Sequence, residues 1–153
     1  MLYSKTTQYA IRGLSELAAR AGTRGVLLDR LVAGTDLPRD FLAKIFQKLV
    51  KAGLLASTKG RLGGFALARP AHAITLMHII AAVEGDVAAE GCVLGLGQCD
   101  DQQPCAQHDL YKPIRQRLND YLRTTTLADL AVSLKSKADW KNGQEKLPLG
   151  EPG

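Results

Sequence analysis

Three cysteines and one histidine lie close together in the second half of the chain. Cys92, Cys99 and Cys105 are its only cysteines, and His108 follows the last of them by three residues. Thiolate and imidazole are the side chains that bind soft and borderline metals. The segment around them is rich in glycine and aspartate, so it can wrap around a small centre. This spacing predicts a loop that holds a metal ion or an iron–sulfur cluster.

The composition is that of one domain, or one domain with an appendage. The chain has 153 residues and 46% of them are hydrophobic, which is enough for a packed core. Its low, odd cysteine count is unlike a secreted disulfide scaffold and indicates a reducing cytoplasm. No signal peptide is recognisable at the start, and no stretch approaches the roughly 20 apolar residues of a membrane span. We therefore expect a cytoplasmic protein with no membrane partner.

Charge is distributed unevenly along the chain. Residues 1–69 carry 12 Lys and Arg against 4 Asp and Glu, whereas residues 70–111 carry six acids and no Lys or Arg. A basic surface suits double-stranded DNA, where phosphate contacts dominate affinity, although ordinary solvating charge has the same composition. The first half is thus the candidate DNA-binding unit, and the cysteine segment is acidic.

Apolar spacing in the first half predicts three helices. Residues 5–21 form the first, capped by Ser4, and residues 27–32 form a short second helix. A third helix runs to Gly53, with Pro38 at its first helical position and basic residues outside. Helix, short helix, turn and basic helix make a helix-turn-helix pattern. The inner stripe of the third helix is predicted to be Phe41, Leu42, Ile45, Leu49 and Val50.

A predicted hairpin follows the basic helix. Residues 54–58 and 65–68 have strand character, and the turn between them contains three glycines and two basic side chains. This is the wing of a winged helix, so the helix is expected in the major groove and the wing on phosphates or in the minor groove. Lysines on an outer helix face are often only solvated. The predicted DNA contacts are Lys5, Arg39, Lys44, Lys48, Lys59, Gly60 and Arg61.

The second half supplies the elements that position the cysteines. A helix over 75–84, capped by Thr75, precedes the cysteine loop, and another helix runs from 108 or 110 to 123 with Pro113 in its first turn. Its apolar face predicts either a homodimer contact or packing on its own domain. That face consists of Leu110, Ile114, Leu118, Tyr121 and Leu122.

The predicted fold class is therefore mainly α. A winged helix-turn-helix DNA-binding domain with a small two-stranded wing occupies residues 1–84, and the cluster-binding loop occupies 85–109. A long dimerisation helix and a last helix over 127–134 fill residues 110–134. The polar tail, residues 135–153, is expected to be mobile.

Four stretches resemble the bacterial Rrf-two (Rrf2) family, whose members include IscR, NsrR and RirA. They are residues 9–12, the wing residues 59–65, the three-cysteine loop and residues 126–130, and the resemblance covers roughly residues 1–134. It implies a homodimeric winged-helix transcription factor and not an enzyme. It further implies that the three cysteines hold an iron–sulfur cluster and that the cluster sets the affinity for promoter DNA.

The family resemblance also bears on the fourth ligand. IscR-like members use a histidine three residues after the third cysteine, and His108 fits that arrangement. NsrR-like members take an acid from the N-terminal helix of the other subunit, but residues 6–8 here contain no carboxylate. The resemblance therefore favours IscR-like ligation by His108. It leaves open a two-iron or four-iron cluster and a signal of iron, cluster supply, redox state or nitric oxide.

Three other interpretations of the same residues remain. Three cysteines and one histidine are a legitimate set for structural zinc. The cysteines could instead act as a thiol redox switch without a cluster. A thiol–imidazole pair of Cys105 and His108 in an enzyme is the least favoured, because the sequence lacks an oxyanion motif.

Overall fold

A computed structural model describes residues 3–20, 25–85 and 91–141 of the chain. Six α-helices and one two-stranded sheet make up these residues, so the predicted class is confirmed. In chain order they are α1 (Lys5–Arg20), α2 (Leu28–Val32), α3 (Arg39–Lys51), β1 (Leu55–Thr58), β2 (Gly64–Leu67), a short 3-10 turn (Ala71–Ala73), α4 (Leu76–Glu84), α5 (His108–Thr124) and α6 (Leu127–Lys141).

The core lies where α1, α3 and α4 meet. The hydroxyl of Ser4 accepts a hydrogen bond from the Thr7 amide at 3.1 Å, so the predicted cap of α1 is confirmed. A methyl group added at Gly13 would lie 2.8 Å from a methyl carbon of Leu42, which shows how closely α1 and α3 approach. The fully buried side chains at this junction include Leu14, Leu42, Ile45, Phe46, Leu49 and Ile79.

Two details of α3 correct the sequence analysis. Phe41 is 41% exposed and only meets Tyr9 edge to face, at 5.8 Å between ring centroids, whereas Phe46 is fully buried. The buried positions 42, 45, 46 and 49 follow helical spacing, and Phe46 belongs to that stripe. Pro38 is the N-cap residue, one position before the predicted one, and its carbonyl accepts from the Leu42 amide at 2.9 Å.

The hairpin forms the predicted wing, and two sets of contacts attach it to the rest of the chain, one to the backbone of Val26 and one to α3. Strands β1 and β2 pair antiparallel from Leu55 opposite Leu67 to Thr58 opposite Gly64. Phe65 exchanges both backbone hydrogen bonds with Val26, at 2.8 and 2.9 Å. The ring of Phe65 also packs edge to face on Phe46, at 5.1 Å. The wing is therefore fixed to α3 through an aromatic pair in which Phe46 is fully buried and Phe65 is partly buried.

Helix α4 matches its prediction closely. Its cap is reciprocal, because the Thr75 hydroxyl accepts from the His78 amide while the His78 ring accepts from the Thr75 amide at 3.2 Å. The predicted inward residues Leu76, Ile79, Ile80 and Val83 are all buried.

The last two helices depart from the sequence analysis. Helix α5 begins at His108, so Pro113 lies in its second turn and not its first. Helix α6 continues past the predicted end to Lys141, and residues 142–153 of the predicted tail lie outside the described part of the chain. Helix α6 packs on α1, and its Leu127 amide donates to the Ile74 carbonyl at 2.7 Å. It is thus part of the same helical body as α1. Within the described ranges, no helix is long and apolar enough to span a membrane.

Candidate metal centre and nucleic-acid interface

Backbone hydrogen bonds give the cysteine loop its shape. The Gly95 amide donates to the Cys92 carbonyl, and the Cys92 amide donates to the Gly97 carbonyl, both at 2.8 Å. Gly95 and Gly97 adopt positive φ angles of 72° and 95°, which glycine tolerates without steric cost. These turns fold the loop back on itself and draw the first cysteine toward the others. Residues 86–90, the predicted start of the loop, lie outside the described residues.

The structure brings the predicted ligands near one another in two pairs. The sulfur of Cys99 lies 3.2 Å from Nδ1 of His108, and Cys105 lies close enough to Cys92 to help lower the pKa of its thiol. The His108 amide also donates to the Cys105 carbonyl at 3.0 Å, which holds the pairs near one another. All three cysteines are free and half-buried.

His108 is held in a buried position by groups outside the predicted ligand set. Its side chain is only 5% exposed, and its Nε2 lies 2.7 Å from an oxygen of Asp101. The ammonium group of Lys112 donates to both oxygens of that carboxylate, each at 2.7 Å. Lys112 first and His108 second lower the pKa of Asp101 below its ordinary value. Neither Asp101 nor Lys112 was predicted, because no periodicity in the loop sequence indicates which acid meets the histidine.

The surroundings of Cys92 favour its thiolate. Hydrogen bonds from the backbone of Leu94 and Leu96 lower the pKa of the Cys92 thiol, and Cys105 and the charge of Arg115 act in the same direction. Partial desolvation opposes them. A thiolate is the form that binds metal, so this environment favours the form of Cys92 that a metal would require.

The donor set fits an iron–sulfur cluster. Two ligands on one tetrahedral metal atom lie about 3.5 Å apart when the metal–ligand bonds are about 2.1–2.3 Å long. The 3.2 Å between Cys99 sulfur and His108 Nδ1 is close to that separation. Among the described residues, no three His, Cys, Asp or Glu side chains converge on one point as they would around a single ion.

The predicted DNA contacts divide into two groups. Lys5, Lys44, Lys59, Gly60 and Arg61 are exposed, and the wing that bears the last three is fixed to α3 by the Phe46–Phe65 pair. Their positions are compatible with contact to a duplex. The other two predicted residues already have partners within the protein.

Arg39 and Lys48 form that second group. Arg39 forms ion pairs with Asp29 and, at 2.9 Å, with Asp40, and hydrogen bonds to these carboxylates raise its pKa. The ammonium group of Lys48 donates to the Val83 carbonyl at 3.2 Å, in the last turn of α4. A cation at a helix C-terminus is favourable because the last carbonyls are unsatisfied. Lys48 therefore connects the recognition helix to the helix that precedes the cysteine loop.

Glu84 makes a second connection from the same end of α4. Its carboxylate accepts hydrogen bonds from the hydroxyls of Ser4 and Thr7 at the start of α1, and these bonds lower its pKa. Residues 6–8 at the start of α1 include no carboxylate of their own. The folded chain nevertheless places the carboxylate of Glu84 beside them. Sequence analysis missed this contact because the partners are 77 and 80 residues apart.

A sequence profile of the Rrf2 family, described as "Iron-dependent Transcriptional regulator", matches residues 3–133. The chain belongs to the Rrf2 family. It is 33% identical to the transcriptional regulator IscR of Vibrio campbellii over 123 residues, which cover 80% of this chain and 73% of that protein. The chain is accordingly a DNA-binding transcriptional regulator and not an enzyme.

Solved structures agree with the winged-helix fold. CymR, the global cysteine regulator of B. subtilis, is similar with a TM-score of 0.72 and 28% identity, covering 86% of this chain and 96% of CymR. IscR of T. potens has a TM-score of 0.65 at 22% identity, covering 95% of this chain and 92% of that one, and supports the fold alone.

Proposed function

We propose that this Rrf2-family regulator binds promoter DNA as a homodimer and that an iron–sulfur cluster sets its affinity. The cluster is held by Cys92, Cys99, Cys105 and His108. The observation that carries the proposal is the pairing of a buried histidine with a cysteine thiol at the first residue of α5. The signal is iron, cluster supply, redox state or nitric oxide, each of which alters such a cluster.

The two ligand pairs support a two-iron cluster. Four protein ligands on two iron atoms amount to two ligands for each iron. Cys99 and His108 are in contact at 3.2 Å, and Cys105 lies near enough to Cys92 to help lower the pKa of its thiol, so these are the pairs we assign to the two irons. Bound there, the cluster supplies a redox centre that holds the loop closed, and an imidazole in place of a thiolate makes the site less negative.

The dimer is proposed from the uncovered face of α5. Leu110 is 79% exposed, Ile114 60% and Tyr121 44%, although they lie on one apolar helix face. A second copy of the chain would cover this face and place two recognition helices on half-sites about 34 Å apart. Because α5 begins at His108, the proposed ligand and the proposed dimer contact belong to one helix.

Helix α4 offers a path from the loop to the DNA-binding face. Its last turn contacts α3 through Lys48 and Val83, and α1 through Glu84. A loop that loses its cluster can shift this end of α4, and both connections would carry the shift into the DNA-binding elements. A few kcal/mol of differential affinity is enough to change promoter occupancy.

The function is tested with protein purified without oxygen and reconstituted with ferrous iron and sulfide. Iron, sulfide and visible absorption are measured together with DNA affinity at fixed salt. Cys92→Ala should lose the cluster and shift DNA affinity. Leu96→Ala is the control, because this side chain lies in the same loop and is 71% exposed, and it should do neither. A protein that binds DNA equally well with and without iron and sulfide contradicts the proposal, and stoichiometric zinc in a colourless protein supports the zinc alternative.

The DNA-binding face and the dimer are tested separately. Replacing Lys59 and Arg61 by Ala should weaken binding and reduce the salt dependence by about one phosphate contact each. An unchanged salt slope would remove the wing from the interface. Ile114→Asp should convert the dimer to a monomer in sedimentation, and a dimer that persists would place the contact elsewhere.

A thiol switch is the second candidate, favoured because Cys105 lies near enough to Cys92 to help lower the pKa of its thiol. CymR of Staphylococcus aureus, solved also in an oxidized form, is 28% identical with a TM-score of 0.64. In this alternative hydrogen peroxide oxidises the two thiols to a disulfide and is itself reduced to water. Peroxide treatment of iron-free protein, followed by mass measurement of the Cys92 and Cys105 peptides, detects the loss of two hydrogen atoms. Coupling of that loss to a change in DNA affinity would favour the switch over the cluster.

A further inference from the structure

We infer that Asp101 is a positioning residue for the metal centre: it holds His108 by Nε2 so that Nδ1 faces the metal beside Cys99. The inference rests on the proposed function, since it assumes that His108 is a ligand. Asp101 acts through the imidazole ring, which its carboxylate contacts at Nε2 at 2.7 Å.

The hydrogen-bond partners of His108 set its tautomer. A neutral imidazole has one N–H donor and one nitrogen with a free lone pair. An ionised carboxylate only accepts, so the 2.7 Å contact between Nε2 and Asp101 places the ring proton on Nε2. Nδ1, which faces the Cys99 sulfur at 3.2 Å, is then the nitrogen with the lone pair. This is the tautomer that a metal requires, and the ring direction is fixed at the same time.

Lys112 keeps the carboxylate in place. It lies four residues after His108 on α5, so both side chains project from the same helix face. Its ammonium group contacts both oxygens of Asp101 at 2.7 Å, which fixes the carboxylate and favours its ionised form. Lys112, which is partly exposed, thus contacts Asp101, and Asp101 in turn contacts His108, whose side chain is only 5% exposed.

Asp100, the residue next to Asp101, does not share the contact with His108: its carboxylate has a different partner. Asp100 accepts a hydrogen bond from the Gln102 amide at 2.9 Å and so shapes the turn of the loop. An acid needed only for loop shape or solubility would resemble Asp100. Asp101 instead spans from the loop to a buried ring on α5. The two neighbours therefore form a matched pair, one for ring position and one for loop shape.

The experiment compares Asp101→Asn, Asp100→Asn and His108→Ala in full-length protein, reconstituted anaerobically with ferrous iron and sulfide. Three quantities are measured: the rate of cluster loss to a chelator, the reduction potential, and the imidazole nitrogen coupling in the paramagnetic resonance spectrum of the reduced cluster. Asp101→Asn should speed cluster loss by about 10-fold, since partners of metal-bound histidines typically contribute 10- to 100-fold in affinity. It should also change the nitrogen coupling and raise the potential, because a negative charge near the cluster is removed.

Two further variants separate positioning from folding. Asp101→Glu retains the charge and should recover part of the nitrogen coupling, and Lys112→Gln should change it in the same direction as Asp101→Asn but less. A residue with only a structural role would alter stability without moving the nitrogen coupling. Asp100→Asn removes the same charge from the residue next to Cys99, so it is expected to raise the potential as Asp101→Asn does, but it should leave the nitrogen coupling at its original value.

The outcomes distinguish the inference from the function on which it rests. If His108→Ala alters the nitrogen coupling and Asp101→Asn does not, the positioning role is wrong and the proposed ligand stands. If His108→Ala leaves the coupling unchanged, His108 is not a ligand and both fail. A wild-type protein that assembles no cluster overturns the proposed function and this inference with it.

Discussion

The winged-helix body and the cysteine loop are held together by different forces. In the body, leucine, isoleucine and phenylalanine side chains from α1, α3 and α4 are fully buried against one another. In the described loop residues, 91–107, no residue is fully buried, and the next one that is buried is His108. The body is therefore specified by apolar packing, whereas the loop depends on turns, hydrogen bonds and metal-binding side chains. Such a loop can change shape when its ligands change while the body stays folded.

The largest expected effect comes from the body. Phe46→Ala should lower the free energy of unfolding by about 3–5 kcal/mol, because it removes a fully buried ring and leaves a cavity between α3 and the wing. Leu96→Ala, in the loop and 71% exposed, should change it by less than about 0.5 kcal/mol. Denaturant titration of iron-free protein measures both. Similar decreases in the free energy of unfolding for the two variants would show that Leu96 packs against the hydrophobic core.

The wing supplies the next largest effect, through two glycines that differ in their surroundings. Gly64 has a φ of 128°, and a methyl group added there would lie 2.4 Å from the Val26 backbone. Gly60 has a φ of 103° but open space around it. Gly60→Ala should cost about 1–2 kcal/mol from backbone strain alone, and Gly64→Ala more, because the backbone bridge to Val26 must also break.

The comparison of the two glycine variants is measured by denaturation and by DNA affinity. Gly64→Ala should reduce both the stability and the DNA affinity, since it displaces β2, the wing strand whose Phe65 contacts Phe46 of α3. Equal losses for the two variants would mean that the bridge between Val26 and Phe65 contributes little.

The difference between the apolar body and the polar cysteine loop also explains which features could be predicted from the sequence. Helices α1, α3 and α4 and the hairpin were predicted because apolar residues recur at regular spacing and glycines mark the turns. The mistake at Phe41 arose within that pattern, since two phenylalanines five residues apart both border the apolar stripe. Phe46 is the one that α1 approaches closely at Gly13 and that Phe65 contacts from the wing, and both contacts are distant in sequence.

The loop residues were predicted for their chemistry and not for their placement. Cysteine and histidine spacing identified the ligand candidates without periodicity. The same spacing could not indicate that Asp101 meets the buried ring or that Lys48 reaches α4, because each contact depends on how separate elements pack. The predicted apolar face of α5 divides: Leu118 and Leu122 pack on α4 within the same chain, whereas Leu110, Ile114 and Tyr121 are exposed. Whether a partner covers these three depends on a second chain.

Lys48 and Lys44 offer a smaller effect that tests communication between the two regions. Lys48→Met removes the hydrogen bond to Val83 and should cost about 1 kcal/mol of stability. It should also reduce the difference in DNA affinity between cluster-containing and iron-free protein. Lys44→Met, one turn earlier on the same helix and exposed, should weaken DNA binding equally in both forms. Binding titrations of both forms at several salt concentrations make the comparison. If the Lys48 variant behaves like the Lys44 variant, Lys48 belongs to the DNA interface as the sequence predicted.

The smallest expected effect concerns Glu84, which connects α4 to the start of α1. Hydrogen bonds from Ser4 and Thr7 lower the pKa of its carboxyl below the ordinary value of 4.5. A carboxyl group with a lowered pKa in the folded state stabilises the protein above its unfolded pKa, and this contribution is lost as the pH falls through the lower folded value. The group is largely exposed, so Glu84→Gln should cost less than about 1 kcal/mol near neutral pH.

That cost should shrink as the pH falls below the ordinary value of 4.5, and it should vanish below the lowered pKa of Glu84 in the folded state, where the carboxyl is protonated whether the chain is folded or unfolded. Denaturant titrations of both proteins at neutral and acidic pH measure the difference. In a Ser4→Ala background the effect of Glu84→Gln should be smaller, since one of the two hydroxyl donors is gone. A difference that is independent of pH and of Ser4 would mean that Glu84 stabilises the end of α4 by some route other than its contact with α1.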